Sequence, residues 1–355
     1  MTTNLFSMLI VLGVLVFFHE LGHFLVARYF DVGVEKFSLG FGPRIFGKTI
    51  GMTDYRVSAI PLGGYVKMVG EEPDAEIEPE MLPFSFTHKS VYKRMLIVAA
   101  GPVFNILLAI VIFWGLFSVY GTYEVTTEIG KVVENSPAFH AGLKSEDQII
   151  EIDGVLIKSW TEMASAIKKS EDREIEIVVE RDEKRVVSRI KPKLGDSKNE
   201  FGEDIKKYMI GVASSGKTIP KPLSFFGAFT QSFKQTYKVV EVTLLSIVKM
   251  IQGKVSKKEL GGPIMIAKMA GDQARVGISS LISFIAIISI NLAILNFLPI
   301  PVLDGGHLLF FAIEAVKGSP VKIEARMKAQ QIGMLMLLFL MVFVFYNDLA
   351  RIFLS

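Results

Sequence analysis

Four stretches of the chain are apolar with almost no interruption, at roughly residues 5–27, 95–120, 280–298 and 332–353. Each is long enough to cross a hydrocarbon layer of about 30 Å, which takes about 20 helical residues. A backbone in lipid has to satisfy its own amides, so runs of this length predict transmembrane helices. Between the first two spans, residues 55–60, then Pro61-Leu62-Gly63-Gly64, then residues 65–68 read as a β-hairpin turning at the glycine pair. Between the second and third spans the pattern changes twice. From about residue 128 to 193 it breaks into short runs separated by turn residues. Residues 131–133 and 148–152 read as strands, Asp153-Gly154 as a hairpin-type turn and 161–169 as a helix. Residues 174–179 are expected to pair with 185–190. Ser136-Pro137-Ala138 opens a turn or helix that Ala141-Gly142-Leu143 closes. Over 222–252, Phe226, Phe229, Phe233, Tyr237, Val240, Leu244 and Val248 recur in steps of three and four, with Lys234 and Lys238 off that face. This is one side of an amphipathic helix, expected to rest on a membrane surface or to pack on the small domain before it.

Composition supports the membrane class: half of the 355 residues are apolar, 27 are Phe, and the mean hydropathy is +0.43. The 39 basic and 36 acidic residues nearly cancel, which speaks against nucleic-acid binding. Their placement carries more. Residues 28–94 hold nine Lys and Arg, the turn with Lys317, Lys322, Arg326 and Lys328 holds four, and residues 1–4 hold none. By the positive-inside rule both connections are cytoplasmic, both termini are outside, and residues 121–277 are extracytoplasmic. The N-terminal run has no basic n-region and no small-residue cleavage site, so it is expected to be retained. With no cysteine, disulfides and thiolate ligands are excluded, and any metal must use His, Asp or Glu.

The first span ends in His19-Glu20-Leu21-Gly22-His23, an H-E-x-x-H pattern. On a helix it sets two imidazoles one turn apart on one side, able to grip one zinc ion, with Glu20 close to a metal-bound water as general base. A chance match in this composition is about one in several hundred. Ionisable residues at mid-membrane cost on the order of 2.5 to 3.5 kcal/mol each, and metal coordination compensates three of them together. A catalytic zinc takes a third protein ligand and an open position. His140 lies on the far side; His88, His307 and acids near the cytoplasmic helix ends remain. In residues 296–307, Pro299 and Pro301 break the third span at its cytoplasmic end, a break tolerated only where protein or a water-filled cavity satisfies the backbone. Asp304 then lies near the depth of His19 and His23 and is the expected third ligand, with Gly305 and Gly306 allowing a tight turn or close approach. A substrate helix must be unwound before it is cut, and its freed amides need partners. Asn105, Asn291 and Asn296, the Pro299–Pro301 segment, and Gly63, Gly64 and Tyr65 on a hairpin edge are the candidate substrate contacts; each Asn equally suits an interhelical hydrogen bond.

The small domain's element order resembles a PDZ domain, with Glu146-Asp147 where bacterial members usually have Gly-Asp. Together, H-E-x-x-H in the first span, Gly-Pro-x-x-Asn at residues 101–105, the PDZ-like insert and N-x-x-P-x-P-x-L-D-G-G from Asn296 resemble the site-2 proteases. The nearest type is the bacterial RseP-like regulators of the sigma-E stress response. The likeness covers nearly the whole chain, with room for one PDZ-like domain rather than two.

That resemblance implies zinc, one ion per chain, held by His19, His23 and Asp304. It also implies a membrane-dipping β-hairpin and a multi-pass protein of the bacterial cytoplasmic membrane with its active site near the cytoplasmic side. The implied activity is regulated intramembrane proteolysis of an anti-sigma-factor-like protein, after a site-1-type protease, and of remnant signal peptides. The expected fold is a polytopic α-helical membrane protein with four transmembrane helices, a membrane-associated β-hairpin and an inserted extracytoplasmic PDZ-like α+β domain. Its divisions are 1–120, 121–200, 201–278 and 279–355. A metal transporter would also place His and Asp in a membrane, but it gives Glu20 no required role and the chain has no repeated halves. A membrane-anchored PDZ scaffold leaves the buried charges unexplained.

Overall fold

The computed structural model describes residues 2–72, 76–199, 202–254 and 261–353. In chain order the elements are α1 (Thr2–Tyr29), β1 (Val34–Ile50), β2 (Thr53–Met68), a 3-10 turn (Pro79–Phe84), α2 (Val91–Tyr120), β3 (Thr122–Val125), β4 (Ile129–Val132) and α3 (Pro137–His140). There follow β5 (Gln148–Ile152), β6 (Val155–Leu156), α4 (Trp160–Ser170), β7 (Ile175–Arg181), β8 (Lys184–Ile190), β9 (Lys193–Lys198), β10 (Asp204–Met209), β11 (Val212–Ser214) and β12 (Thr218–Lys221). The chain ends with α5 (Phe225–Ile251), α6 (Pro263–Val276), α7 (Ile278–Phe297), α8 (Asp304–Lys317) and α9 (Ile323–Phe353).

Four of these helices, α1, α2, α7 and α9, are long and apolar enough to cross a membrane, and they coincide with the four expected spans. The chain forms two compact units, Met1–Leu116 with Phe229–Ser355, and Phe117–Ala228.

In the first unit two dry clusters lie along α1. Val11 and Leu15 pack with Leu108, Leu281, Phe284 and Ile285, while Ala27 packs with Phe37, Val66, Ile97 and Phe311. The motif histidines fall between them. The expected glycine turn at Pro61–Gly64 is not formed. The strands turn at Gly51-Met52, and β2 runs on through Pro61–Gly64. Lys36–Leu39 pairs on both sides, with Lys67–Gly64 and with Asp54–Val57, so the hairpin doubles back on itself. Pro61–Gly64 is where β2 changes partners. A proline has no amide to give there, and Gly63, at φ +107, lies where a Cβ would meet the Phe41 ring.

Two helices were not anticipated. α6 is capped from a distance: the Asp348 carboxylate of α9, 3% exposed, accepts the amides of Gly262, Ile264 and Met265 at 2.9, 3.0 and 3.0 Å. α8 begins at Asp304, in a sequence that reads as a turn, and ends on Gly318 in the left-handed conformation. Its far end is tied to α2 by Arg94, which bonds Glu314 at 2.5 Å and lies over the Phe311 ring at 4.9 Å.

α5 carries its apolar face outward, with Phe226, Phe229, Phe233, Tyr237, Leu244 and Val248 exposed, while Ser232 and Thr236 are buried. That apolar face lies beside exposed Lys234 and Lys238.

In the second unit the antiparallel sheet runs β6-β5-β7-β8. Ser136 and Ser159 cap α3 and α4 through their hydroxyls, as short polar side chains do at helix starts. Ile149, Ile177, Val179, Met163 and Ile190 fill the core. The unit passes the expected boundary at residue 200, because β11 pairs with β4 and β12 with β3. Asp147, 1% exposed, accepts the Lys144 amide and both Nε and Nη2 of Arg181 at 2.6 and 2.7 Å. The carboxylate pushes Arg181 above its ordinary value. Glu146 stands at φ 73, so the chain keeps the glycine conformation of a Gly-Asp pair without the glycine.

Removing the Asp147 carboxylate (Asp147→Ala) takes the acceptor from the Lys144 amide and leaves Arg181 with the Gly142 carbonyl alone, and is expected to destabilise this unit by about 1–3 kcal/mol. Glu146→Gly relieves about 1–2 kcal/mol of left-handed strain, less the entropy glycine loses on folding, and gives a small gain. Limited proteolysis of the full-length protein against temperature reads both. Asp153 is held below the usual carboxylate range by the Glu176 amide and Arg173. Its contribution is complete above about pH 4 and is lost as pH falls through its lowered value. The melting difference between wild type and Asp153→Asn therefore closes on acidification.

In the first unit, Arg94→Met or Glu314→Leu alone is expected to cost about 3–5 kcal/mol, and the two together less than either. Thermal melts in detergent test this; additive losses would mean the pair is not coupled.

Candidate metal centre

The helical rise of α1 sets His19 and His23 one turn apart, with ring centroids 4.8 Å apart and their Nε2 atoms 3.2 Å apart. The close crossing of α2 holds them there. A Cβ on Gly22 would lie 2.4 Å from the Ala100 carbonyl oxygen, and one on Gly101 would lie 2.3 Å from His23 Nε2 and 2.8 Å from His19 Cε1. Any side chain at residue 101 would therefore displace the rings. His23 Nδ1 lies 2.9 Å from the Ile97 carbonyl, which can only accept, so the proton is on Nδ1 and Nε2 presents its lone pair.

Asp304 arrives from α8. Its position at the first turn is favourable for a carboxylate, because the unpaired amides of a helix start carry partial positive charge. A Cβ on Gly305 would lie 2.2 Å from the Leu298 carbonyl oxygen, and one on Gly306 would lie 2.3 Å from that of Ile300. The helix start thus rests directly on the Pro299–Pro301 bend. Asp304 Oδ2 lies 3.2 Å from His19 Nε2 and 3.7 Å from His23 Nε2.

These three side chains form the group among the described residues whose ligand atoms converge closely enough for a metal. Ligand atoms 2.0–2.2 Å from a tetrahedral zinc ion lie about 3.3–3.6 Å apart, close to the separations found here. Asp304 Oδ2 is buried with no hydrogen-bond partner, an orphan that a cation would satisfy. The donor set therefore fits zinc.

Glu20, half-buried beside His19, lies near the Val66 backbone amide. A Cβ on Gly64 would lie 3.3 Å from Glu20 Cγ, so the hairpin passes directly over this carboxylate. Tyr65, Val66 and Lys67 also line a cavity of about 660 Å³ with Glu71, Glu72, His307 and Arg326.

The other expected residues disperse. His88 bonds Ser85 at 3.0 Å, away from the cluster, and His307 lines the cavity. Gly63, Gly64 and Tyr65 belong to the strand beside Glu20, although not to a turn. Asn291 receives the Thr243 hydroxyl of α5 at 2.9 Å, an interhelical bond. Asn296 is half-buried in the last turn of α7; Pro299 is exposed, and Pro301 packs near Gly333. Asn105 has no exposed surface, so it faces His19 inside the protein and not a substrate. The Ile97 carbonyl and the Arg94–Glu314 tie were not anticipated. Arg94, a charge at the start of an apolar run, was the visible signal.

The model of peptidase family M50 matches residues 7–340. A protein of Mesorhizobium japonicum is 36% identical over 360 residues, covering 98% of this chain and 98% of its own. One of Campylobacter jejuni is 35% identical over 343 residues, covering 97% of this chain and 92% of its own. Both bear the name "Putative zinc metalloprotease". Among solved structures, the PDZ domain of an SdrC-like protein from Listeria innocua aligns with 25% of the chain and 92% of its own at 27% identity; its TM-score of 0.20 carries no weight. The chain belongs to peptidase family M50, the site-2 protease family, and is a zinc metalloprotease of the membrane-spanning kind.

Proposed function

We propose that His19, His23 and Asp304 hold the zinc ion and that Glu20 is the general base of an endopeptidase cutting transmembrane segments inside the bilayer. The observation that carries this is the meeting of three ligand atoms beside a carboxylate, two of them on α1, a helix long and apolar enough to span a membrane, and the third at the start of the short α8. When bound, zinc supplies Lewis-acid chemistry, polarising a carbonyl and acidifying water. Glu20 takes the water proton and returns it to the departing amide nitrogen. The hairpin backbone at Gly64 lies against that carboxylate. Water would enter from the cavity beside the hairpin, whose wall carries Lys67, Glu71, Glu72 and Arg326. The strand Gly64–Val66 gives an unwound substrate a backbone edge on which to lie, with Asn296 and the Pro299–Pro301 bend as further contacts.

By the distribution of basic residues, both termini and the PDZ-like unit are extracytoplasmic, in a bacterial cytoplasmic membrane, and the cut falls near the cytoplasmic side. Substrates of the anti-sigma-factor type, trimmed beforehand by a site-1-type protease, and remnant signal peptides fit this arrangement. The PDZ-like unit would exclude untrimmed substrates by size or by binding.

Purified in detergent, Glu20→Gln is expected to keep one zinc per chain and to lose cleavage of a transmembrane model substrate by about 10²–10⁴-fold. Asp304→Ala and Gly101→Ala are expected to lose zinc. A Glu20→Gln protein that holds zinc and still cleaves would remove Glu20 from the mechanism. Zinc bound undiminished in Asp304→Ala would remove the third ligand.

A further inference from the structure

The Gly-Pro-x-x-Asn run of α2 is only half explained by Gly101 giving room to the two rings. Asn105, four residues on, has no exposed surface. Its backbone carbonyl accepts the Ser289 hydroxyl at 2.7 Å, which ties it to α7. Its carboxamide nitrogen faces His19 Nδ1 at 3.3 Å, while its Oδ1 is buried with no partner.

His19 turns Nε2 inward, 3.2 Å from both His23 Nε2 and Asp304 Oδ2. As a zinc ligand His19 gives the ion its Nε2 lone pair, so in the metal-bound site Nε2 carries no proton. A neutral imidazole has one N–H and one lone pair. With Nε2 offering the lone pair, Nδ1 carries the hydrogen and needs an acceptor, which an amide NH₂ is not. The oxygen and nitrogen of a carboxamide exchange places when it turns over, and the hydrogen-bond network decides between them.

We propose that Asn105 is a positioning residue for the metal centre, its carboxamide turned so that Oδ1 accepts the His19 Nδ1–H. The bond fixes the His19 tautomer that offers Nε2 inward and gives the orphaned oxygen its partner. Each histidine is then held by an acceptor on α2: His23 by the Ile97 carbonyl, His19 by Asn105. This rests on His19 being a zinc ligand.

The test is zinc affinity of the full-length protein in detergent, by chelator competition, for wild type, His19→Ala, Asn105→Leu and Asn105→Asp. Removing an outer partner of a metal-bound histidine weakens binding about 10–100-fold. Asn105→Leu is expected to show that loss, and Asn105→Asp, which can only accept, to hold zinc as tightly as wild type. Rescue by Asp separates acceptance from packing, since Leu and Asp fill similar space but only one bonds Nδ1–H. Wild-type affinity in a folded Asn105→Leu protein, or loss in a folded Asn105→Asp protein, would overturn the proposal. Undiminished affinity in His19→Ala would instead overturn the ligand assignment beneath it.

Discussion

Three potential ligand atoms, two imidazole nitrogens and a carboxylate oxygen, are packed within 3.7 Å of one another among apolar helices. In water each would be hydrated separately. In a bundle of this kind the arrangement is unfavourable until a cation joins them, because unpaired buried polar atoms are costly. The surrounding structure is organised so that the lone pairs are left for the metal alone. His23 spends its proton on the Ile97 carbonyl, and Asp304 sits at a helix start.

Most of that organisation falls to α2. Arg94, Ile97, Gly101 and Asn105 follow one another in steps of three and four and so share a face. That face binds α8 through Glu314, receives both imidazoles, and is tied to α7 through Ser289. Helices in lipid associate without a hydrophobic drive between them, so close contact between small residues and a few hydrogen bonds must hold them. The Gly22–Ala100 and Gly101–imidazole contacts are of that kind. The same closeness that lets α1 and α2 pack also fixes the ligand geometry.

The four spans and the H-E-x-x-H pair are legible in the sequence because their physics is local: length against bilayer thickness, and a four-residue step against a helical turn. The second unit is legible as far as its turns are marked by Ser-Pro, Asp-Gly and Ala-Gly. What fails is what depends on partners far away in the chain. Pro61–Gly64 looks like a turn, yet the chain there is exchanging one strand partner for another. β11 closes a sheet with a strand 80–85 residues earlier, and β12 with one 93–99 residues earlier, and neither gives a local sign of it. α6 has no capping side chain of its own and borrows the Asp348 carboxylate. Asn105 was visible as a polar residue in an apolar run, but only the orientation of His19 gives it a task.

The proposed third ligand, Asp304, shows how such distant dependence can be exact. α8 is short, and with two glycines in its first turn it starts poorly as an isolated helix. Its beginning is set by the bend before it, since Gly305 and Gly306 rest against the carbonyls of Leu298 and Ile300 with no room for a Cβ. The Arg94–Glu314 pair fixes its end. A rod held at one end by backbone contact and at the other by an ion pair has little freedom to slide. Metal sites require ligands placed to about 0.5 Å, and a flexible loop would not supply that. The prolines that break the third span therefore do more than end a helix. They provide the rigid shelf on which the carboxylate is carried to the two histidines, so the placement of the third ligand is a property of the α7–α8 bend rather than of the aspartate.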